Sequence, residues 1–360
     1  MKKRFVSIIC TAALSASLFT GCGASGANSE APAVPLTGET LTVFNYSEYL
    51  DPDMLEQFTR ESGIEVKYEE ATTAEELYTK YKAGGISYDL VCTADYMVKR
   101  LIDEGEAQQV DFSTLGNINN IGKKYWDINK AIDPDNSYAL PYFWGTLGIL
   151  YDTTKVNGEI DSWDVLFNGD YAGEIIMQDS MRDTFMVALK YLGYSVNTTD
   201  ESQIREAAEL LMKQKPDVEA YLVDEARDEV VAGNATMAVV YSGEAYLGHL
   251  YNPDLAYVVP KEGSNVWVDS WLVTKNCQNT DAARKFLDFL CRQDVATANF
   301  EFIYYSTPNE AVIKNMDAEL KNDPAIVPTD ESVDLCEVCT QVEGDTTELY
   351  NELWKELKAQ

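Results

Sequence analysis

Asn265–Lys275, NVWVDSWLVTK, is the stretch from which the rest of the chain can be read. Its Val and Trp content marks a strand. Side chains alternate along a strand, so Val266, Val268, Ser270 and Leu272 share one face and Trp267, Asp269, Trp271 and Val273 the other. Asp269 is thereby expected between two indoles, with no Lys or Arg within five residues on either side. A carboxylate withdrawn from water is costly unless something neutralises it. Either an arginine distant in sequence pairs with Asp269, or this face is open to solvent, or the partner is not part of the protein. In the last case a cation held by the carboxylate and the indole faces would satisfy all three residues.

Upstream, the chain alternates strands and helices. Leu41–Asn45 is a strand, and Asp51-Pro52 opens a helix with Asp51 as N-cap, Pro at the first position and Gly63 as the stop. Ile64–Tyr68 is a second strand. Thr72-Thr73-Ala74-Glu75 resembles a capping box, before a helix that Gly84-Gly85 ends, and Tyr88–Cys92 is an apolar third strand. A β-α-β-α-β order produces buried parallel strands. Open α/β sheets bind ligands at the C-terminal ends of such strands. Tyr46–Tyr49 and Thr93–Tyr96 occupy those ends, and each carries an acid and a Tyr. Asp95 serves equally well as a helix N-cap. Pro141 is expected to break a strand, and Gly145 to mark a backbone turning point before a second α/β unit. That unit has strands at Glu174–Gln178, Thr236–Tyr241 and Leu255–Pro260, with helices at Met181–Leu192, Glu201–Lys213 and Asp224–Ala232. After Lys275 the pattern is helical, ending in a helix over about 346–358.

The length of 360 residues indicates two domains. Sixty Asp and Glu against 28 Lys and Arg give a formal net charge of -32, which excludes nucleic acid as a partner. Such a surface attracts cations over about 10 Å in physiological salt, although most of its acids simply face solvent. Lys2, Lys3 and Arg4, then the apolar run Phe5–Phe19, form a targeting segment. Leu18-Phe19-Thr20-Gly21-Cys22 resembles a bacterial lipoprotein signal in which Cys22 is lipidated; an ordinary signal peptide is the alternative. Gly23–Gly38 is small, polar and Pro-containing, as in a flexible tether. Beyond the signal lie Cys92, Cys277, Cys291, Cys336 and Cys339, an odd number that forms no complete disulfide framework. Cys336-x-x-Cys339 is weak as a metal motif beside a lone His249, so packing or a local disulfide is expected and no metal or cofactor is.

Five motifs stand in order: Tyr46-Ser47-Glu48-Tyr49, Tyr88-Asp89-Leu90-Val91, Pro141-Tyr142-Phe143-Trp144-Gly145-Thr146, Trp267-Val268-Asp269-Ser270 and Ser306-Thr307-Pro308-Asn309. Together, over about Leu41 to Asn309, they resemble the spermidine/putrescine-binding lipoproteins of polyamine ABC importers. The resemblance implies an α/β, two-lobed periplasmic-binding-protein fold (type II), with the ligand cleft between lobes joined by crossing strands. Residues 1–22 would be the lipoprotein signal and 23–39 the tether. Residues 40–144 with 270–316 would form one lobe, and 145–269 with 317–360 the other. It further implies a non-catalytic receptor, expected to be monomeric, that is anchored outside the cytoplasm by its lipid and passes its ligand to membrane permease subunits.

Carried over position by position, Tyr46 stands where the family has a Trp against the ligand's alkyl chain, and Ser47, Glu48 and Tyr49 match polar contacts. Tyr96 and Tyr305 match family tyrosines, Asp183 an ammonium-binding acid, and Trp267 and Asp269 match outright. Tyr241 replaces another Trp. Ser180 departs from an acid, with Asp179 adjacent; Ala94 departs from a Ser beside Asp95; and a C-terminal Gln falls near Thr340 or Gln341. A polyamine is a methylene chain with ammonium groups at intervals, which aromatic walls and carboxylates suit. Another organic cation would use the same groups. A secreted hydrolase working with Asp183 and Asp269 is the remaining alternative. Against it stand the single His249 and the lack of a G-x-S-x-G motif.

Overall fold

The structure, a computed structural model, describes residues 34–223, 225–340, 342 and 344–359. The targeting segment, Cys22 and most of the tether therefore lie outside the described residues, as does Gln341. Nine strands follow in order: β1 (Thr40–Tyr46), β2 (Glu65–Ala71), β3 (Leu90–Thr93), β4 (Ala139–Asp152), β5 (Ile175–Gln178), β6 (Val218–Leu222), β7 (Met237–Tyr241), β8 (Leu255–Val258) and β9 (Val266–Val273). They are hydrogen-bonded in the order β2-β1-β3-β9-β4-β7-β5-β6, and β8 also pairs with β4.

The first unit forms as its sequence dictates. Asp51 caps the helix Pro52–Ser62, and Gly63 closes it at φ 73°. A Cβ there would also meet the Pro35 carbonyl oxygen at 2.5 Å. Residues 34–37 run along this loop, with Val34 and Thr37 donating to the Arg60 and Gly63 carbonyls. The next cap is Thr73 rather than Thr72: its hydroxyl accepts from the Glu76 amide, while the Glu76 carboxylate reaches back to Thr72. β1, β2 and β3 are parallel, as their connecting helices require.

The strand break expected at Pro141 does not occur. β4 runs unbroken for 14 residues and is buried throughout. Pro141 instead sits at a register shift between Pro141 and Phe143 in the pairing with β9. A shift of this kind is one of the few places where a strand tolerates a residue without an amide hydrogen. The first half of β4 pairs with β9 and its second half with β7 and β8, so β4 and β9 carry the chain between the two halves of the sheet. Gly145 is not a turning point either. A Cβ on it would lie 2.6 Å from Trp267 Cζ2 and 2.8 Å from Ser242 Oγ.

Three apolar clusters hold these layers. The first joins β1, β3, the first half of β4, β9 and the helix Thr280–Leu290. In the second unit, alternation along the strands divides the sheet. Leu147, Ile149, Ile175, Met177, Met237 and Val239 face the helices Met181–Tyr191, Glu201–Gln214 and Asp345–Ala359. Leu150, Ile176, Ala238 and Val240 face the opposite way, against residues that include Phe300, Val312 and Ile326. β6 was not foreseen, because its half-buried VEAYL lacks the apolar run of its neighbours. A third connection also runs beside β9: Glu337 bridges in parallel to Asn265, with Cys336 packing on the first cluster and Cys339 in the second. All five described cysteines are free thiols.

Gly145→Ala is expected to force Trp267 or Ser242 aside and to cost about 1–3 kcal/mol. The check is the denaturant midpoint; an unchanged midpoint would mean that the indole yields without strain.

Candidate ligand site at the strand crossing

The two halves present the same local architecture to each other: C-terminal ends of parallel strands, each followed by a helix. β1 ends at Tyr46 and leads into Ser47, Glu48 and Tyr49. Ser47 and Glu48 are exposed, with Glu48 at φ 55°, while Tyr49 is buried. β3 ends at Thr93, whose register partner on β9 is Ser270, so Asp95 is delivered beside Asp269. From the other half, β5 leads through Ser180 into the helix Met181–Tyr191, with Asp183 in its first turn. β7 ends at Tyr241.

Three acids are buried where these ends meet: Asp95, Asp183 and Asp269, exposed to only 3 %, 7 % and 7 %. Among the described residues, no ion pair reaches any of them. The arginine partner that would have explained Asp269 internally is thus not its contact; the Tyr49 hydroxyl donates to Asp269 Oδ2 at 2.5 Å instead. Tyr142 steadies Tyr49 by donating to its carbonyl oxygen at 3.0 Å. The Tyr241 hydroxyl donates to Asp183 Oδ2 at 2.8 Å, and the Asp183 amide donates weakly to the N-cap Ser180 at 3.4 Å. Asp95 Oδ1 accepts from the Tyr96 amide, whereas its Oδ2 is buried without a hydrogen-bond partner among the described residues. Asp95 is not the N-cap of its helix; that position is Ala94, with no side-chain cap bond.

Burial dominates the electrostatics. It pushes Asp95 up to about 8, aided by the charges of Asp269 and Asp183 and opposed by backbone amides. It pushes Asp269 up to about 7 against the pull of the Tyr49 hydrogen bond. Asp183 is raised by the same cause, with Ser180, Tyr241, Arg182 and Asn265 pulling the other way. Arg182 donates to the Val196 and Thr340 carbonyls and lies 5.2 Å from the Tyr350 ring centre.

Around the acids stands an aromatic wall. Tyr46, Tyr96, Tyr241, Trp267 and Tyr305 are all half-buried. Trp267 meets Tyr305 at 5.5 Å and Tyr241 at 6.2 Å, both edge-on, and Tyr49 meets Tyr46 at 5.4 Å and Tyr305 at 6.0 Å. The Tyr46 hydroxyl accepts from the Ala94 amide and shares a hydrogen bond with Thr93. Tyr96 donates to Glu75, and Tyr305 to Glu244, whose other oxygen is paired with Arg227. Tyr305 lies so close over Gly243 that a Cβ would fall 1.7 Å from its ring.

Two expectations need correction. Trp271 does not flank Asp269 as a second wall; it is wholly buried against Tyr142 and Phe286. Asp179 is not with the buried acids: its carboxylate is at the surface, paired with Lys358 at 2.7 Å. Asn265, Gly243 and Arg182 were not anticipated as site residues. The only sequence signal for them was adjacency: Asn265 opens the β9 stretch, Gly243 follows the end of β7, and Arg182 precedes Asp183.

Comparison with known proteins gives the family. Residues 53–329 match the family model described as bacterial extracellular solute-binding protein. The spermidine/putrescine-binding periplasmic protein of Escherichia coli K12 is 36% identical over 324 residues, covering 89% of this chain and 92% of that protein. Its Salmonella typhimurium counterpart is equally similar, at 36%. Among solved structures, the spermidine/putrescine ABC transporter substrate-binding protein PotD of Streptococcus pneumoniae superposes with a TM-score of 0.83 at 36% identity, covering 89% of this chain and 99% of that one. A putative spermidine/putrescine ABC transporter protein of Listeria monocytogenes gives 0.78 at 33%. The two-lobed type II binding-protein fold and a solute-binding rather than enzymatic family follow.

Carboxyls raised above their unfolded values bind protons more tightly in the folded state, so their contribution to the stability of the empty protein is fully present below the unfolded value near pH 4 and is lost as pH rises through the folded values of about 7 and about 8. The midpoint of thermal unfolding is therefore expected to fall between about pH 4 and about pH 8, and to fall less steeply in Asp95→Asn. Parallel slopes for the two proteins would remove Asp95 from this account. The chain belongs to the bacterial extracellular solute-binding protein family, the family of the spermidine/putrescine-binding proteins.

Proposed function

We propose that this chain captures a polyamine, putrescine or spermidine, outside the cytoplasm and delivers it to the permease subunits of an ABC importer. The observation that carries this reading is the set of three buried carboxyls, Asp95, Asp183 and Asp269, with no ion pair among the described residues and an aromatic wall around them. Unpaired buried acids are unfavourable in an isolated protein and become favourable once cations reach them. The names of the relatives supply the same ligand class independently.

In this reading Asp269 and Asp183 receive ammonium groups, and Asp95 supports the charge beside Asp269. Trp267, Tyr46, Tyr96, Tyr241 and Tyr305 pack on the methylene chain, each cation–aromatic contact contributing about 0.5–2 kcal/mol. Tyr49 orients Asp269, and Ser47, Glu48 and Ser180 supply polar contacts at the edge. Charge-assisted hydrogen bonds add about 1.5–3 kcal/mol each. After ordering costs, a total of about -8 kcal/mol, a micromolar Kd, is reasonable. The acids also discriminate, since an uncharged chain would leave them unpaired.

The proposal extends to the whole chain. Residues 40–144 with 270–316, and 145–269 with 317–360, act as two lobes that close on the ligand by a hinge motion. Residues 1–22 direct export and leave a lipid on Cys22, residues 23–39 tether the body to the membrane, and the body works as a monomer.

Calorimetric titration with putrescine, spermidine and spermine tests the ligand class; no heat with any of the three would overturn it. Asp269→Asn is expected to weaken binding about tenfold or more, through loss of a charge-assisted bond. Wild-type affinity in that variant would remove Asp269 from the site.

A further inference from the structure

The three buried acids come from three different elements. Asp269 lies in the middle of β9. β1 and its following loop present Tyr46 and Tyr49 to it, β3 presents Cys92, and the helix Asp95–Asp103 presents Asp95. Asp95 also faces Asp183 across the junction and Cys339 from the third connection. Tyr241 and Arg182 face Asp183. Of all these groups only Arg182 is a cation, and it is engaged with the Val196 and Thr340 carbonyls and with Asn197.

Two carboxyls side by side in a buried place, with no cation between them, cannot both ionise cheaply; they titrate as a pair. Their hydrogen bonds leave a gap in the same direction. Asp269 has a donor in Tyr49, whereas Asp95 Oδ2 is buried with no partner among the described residues.

We propose that capture of the cation is coupled to proton release: the Asp95–Asp269 pair holds a proton when the site is empty, and an arriving ammonium group expels it to solvent. The inference rests on the polyamine reading given above. The step is balanced by charge: a neutral carboxyl and an ammonium ion become a carboxylate–ammonium pair, and the proton passes to water and buffer. The raised values of both acids, both due first to burial and with the charge of Asp269 contributing at Asp95, agree with a shared proton near neutrality.

The sign follows from linkage. The empty protein binds more protons than the complex, so the association constant rises with pH, by at most tenfold per pH unit for each proton released. The rise ends above about pH 8, where the empty pair has already lost its proton, and affinity falls again only where the ligand's own amines deprotonate, near the lysine value of about 10.4.

The experiment is calorimetric titration of the full chain with putrescine and with spermidine, in phosphate and in Tris at one pH, repeated from about pH 6 to about pH 8. Expected are heats that differ between the buffers by an amount corresponding to about one released proton, and a Kd that tightens about tenfold or more across the range. Asp95→Asn is expected to bind with a smaller buffer difference and a flatter pH profile; the wild-type series stands without it if that variant folds poorly. Binding with equal heats in both buffers and a Kd flat with pH would overturn the coupling and leave the ligand class intact. No heat with either polyamine would overturn the ligand reading and the coupling with it.

Discussion

The structure depends on a deficit of positive charge at its centre. Three carboxyls are folded into the junction between two half-sheets, and their contacts are phenol hydroxyls and backbone amides rather than lysines or arginines. Such an arrangement works against stability, since removing an acid from water is expensive unless a cation replaces the water. Folding tolerates it because the surroundings are over-determined. β9 is locked to the first half of β4, and large apolar clusters on either side carry the stability. The junction is then well packed but short of positive charge.

The aromatic residues complement this deficit and also fix its shape. Tyr49 and Tyr241 each donate to one acid, so the hydroxyls that orient the carboxylates hang from rings that also build the wall. Gly145 and Gly243 are small for the matching reason: Trp267 and Tyr305 lie directly on their backbones. The wall is therefore positioned by missing side chains as much as by present ones. Selectivity follows from combining flat apolar faces with buried negative oxygen atoms, which neither a neutral chain nor a compact inorganic ion would satisfy fully.

Much of this was legible in the sequence. The helix cap at Asp51, the apolar runs at Tyr88–Cys92 and Thr236–Tyr241, and the bare Asp269 are local signals, and local physics decided them. What escaped depends on distant partners. Pro141 reads as a break, yet pairing with β9 carries the strand through it. Alternation places Trp267 and Trp271 on one face, but not which end of the strand enters the core. Asp179 is claimed by a lysine 179 residues away, which no neighbouring residue announces. The proximity of Asp95 to Asp269 follows from the register of β3 on β9, which spacing alone does not contain.

The three side-by-side connections between the halves, β4, β9 and the Glu337 bridge at Asn265, have a mechanical consequence. Strands fastened edge to edge bend readily across their flat face and resist being wrung about their length, because torsion stretches the hydrogen bonds that join them. The link between the halves is therefore compliant to bending across the sheet's flat face and stiff to twisting.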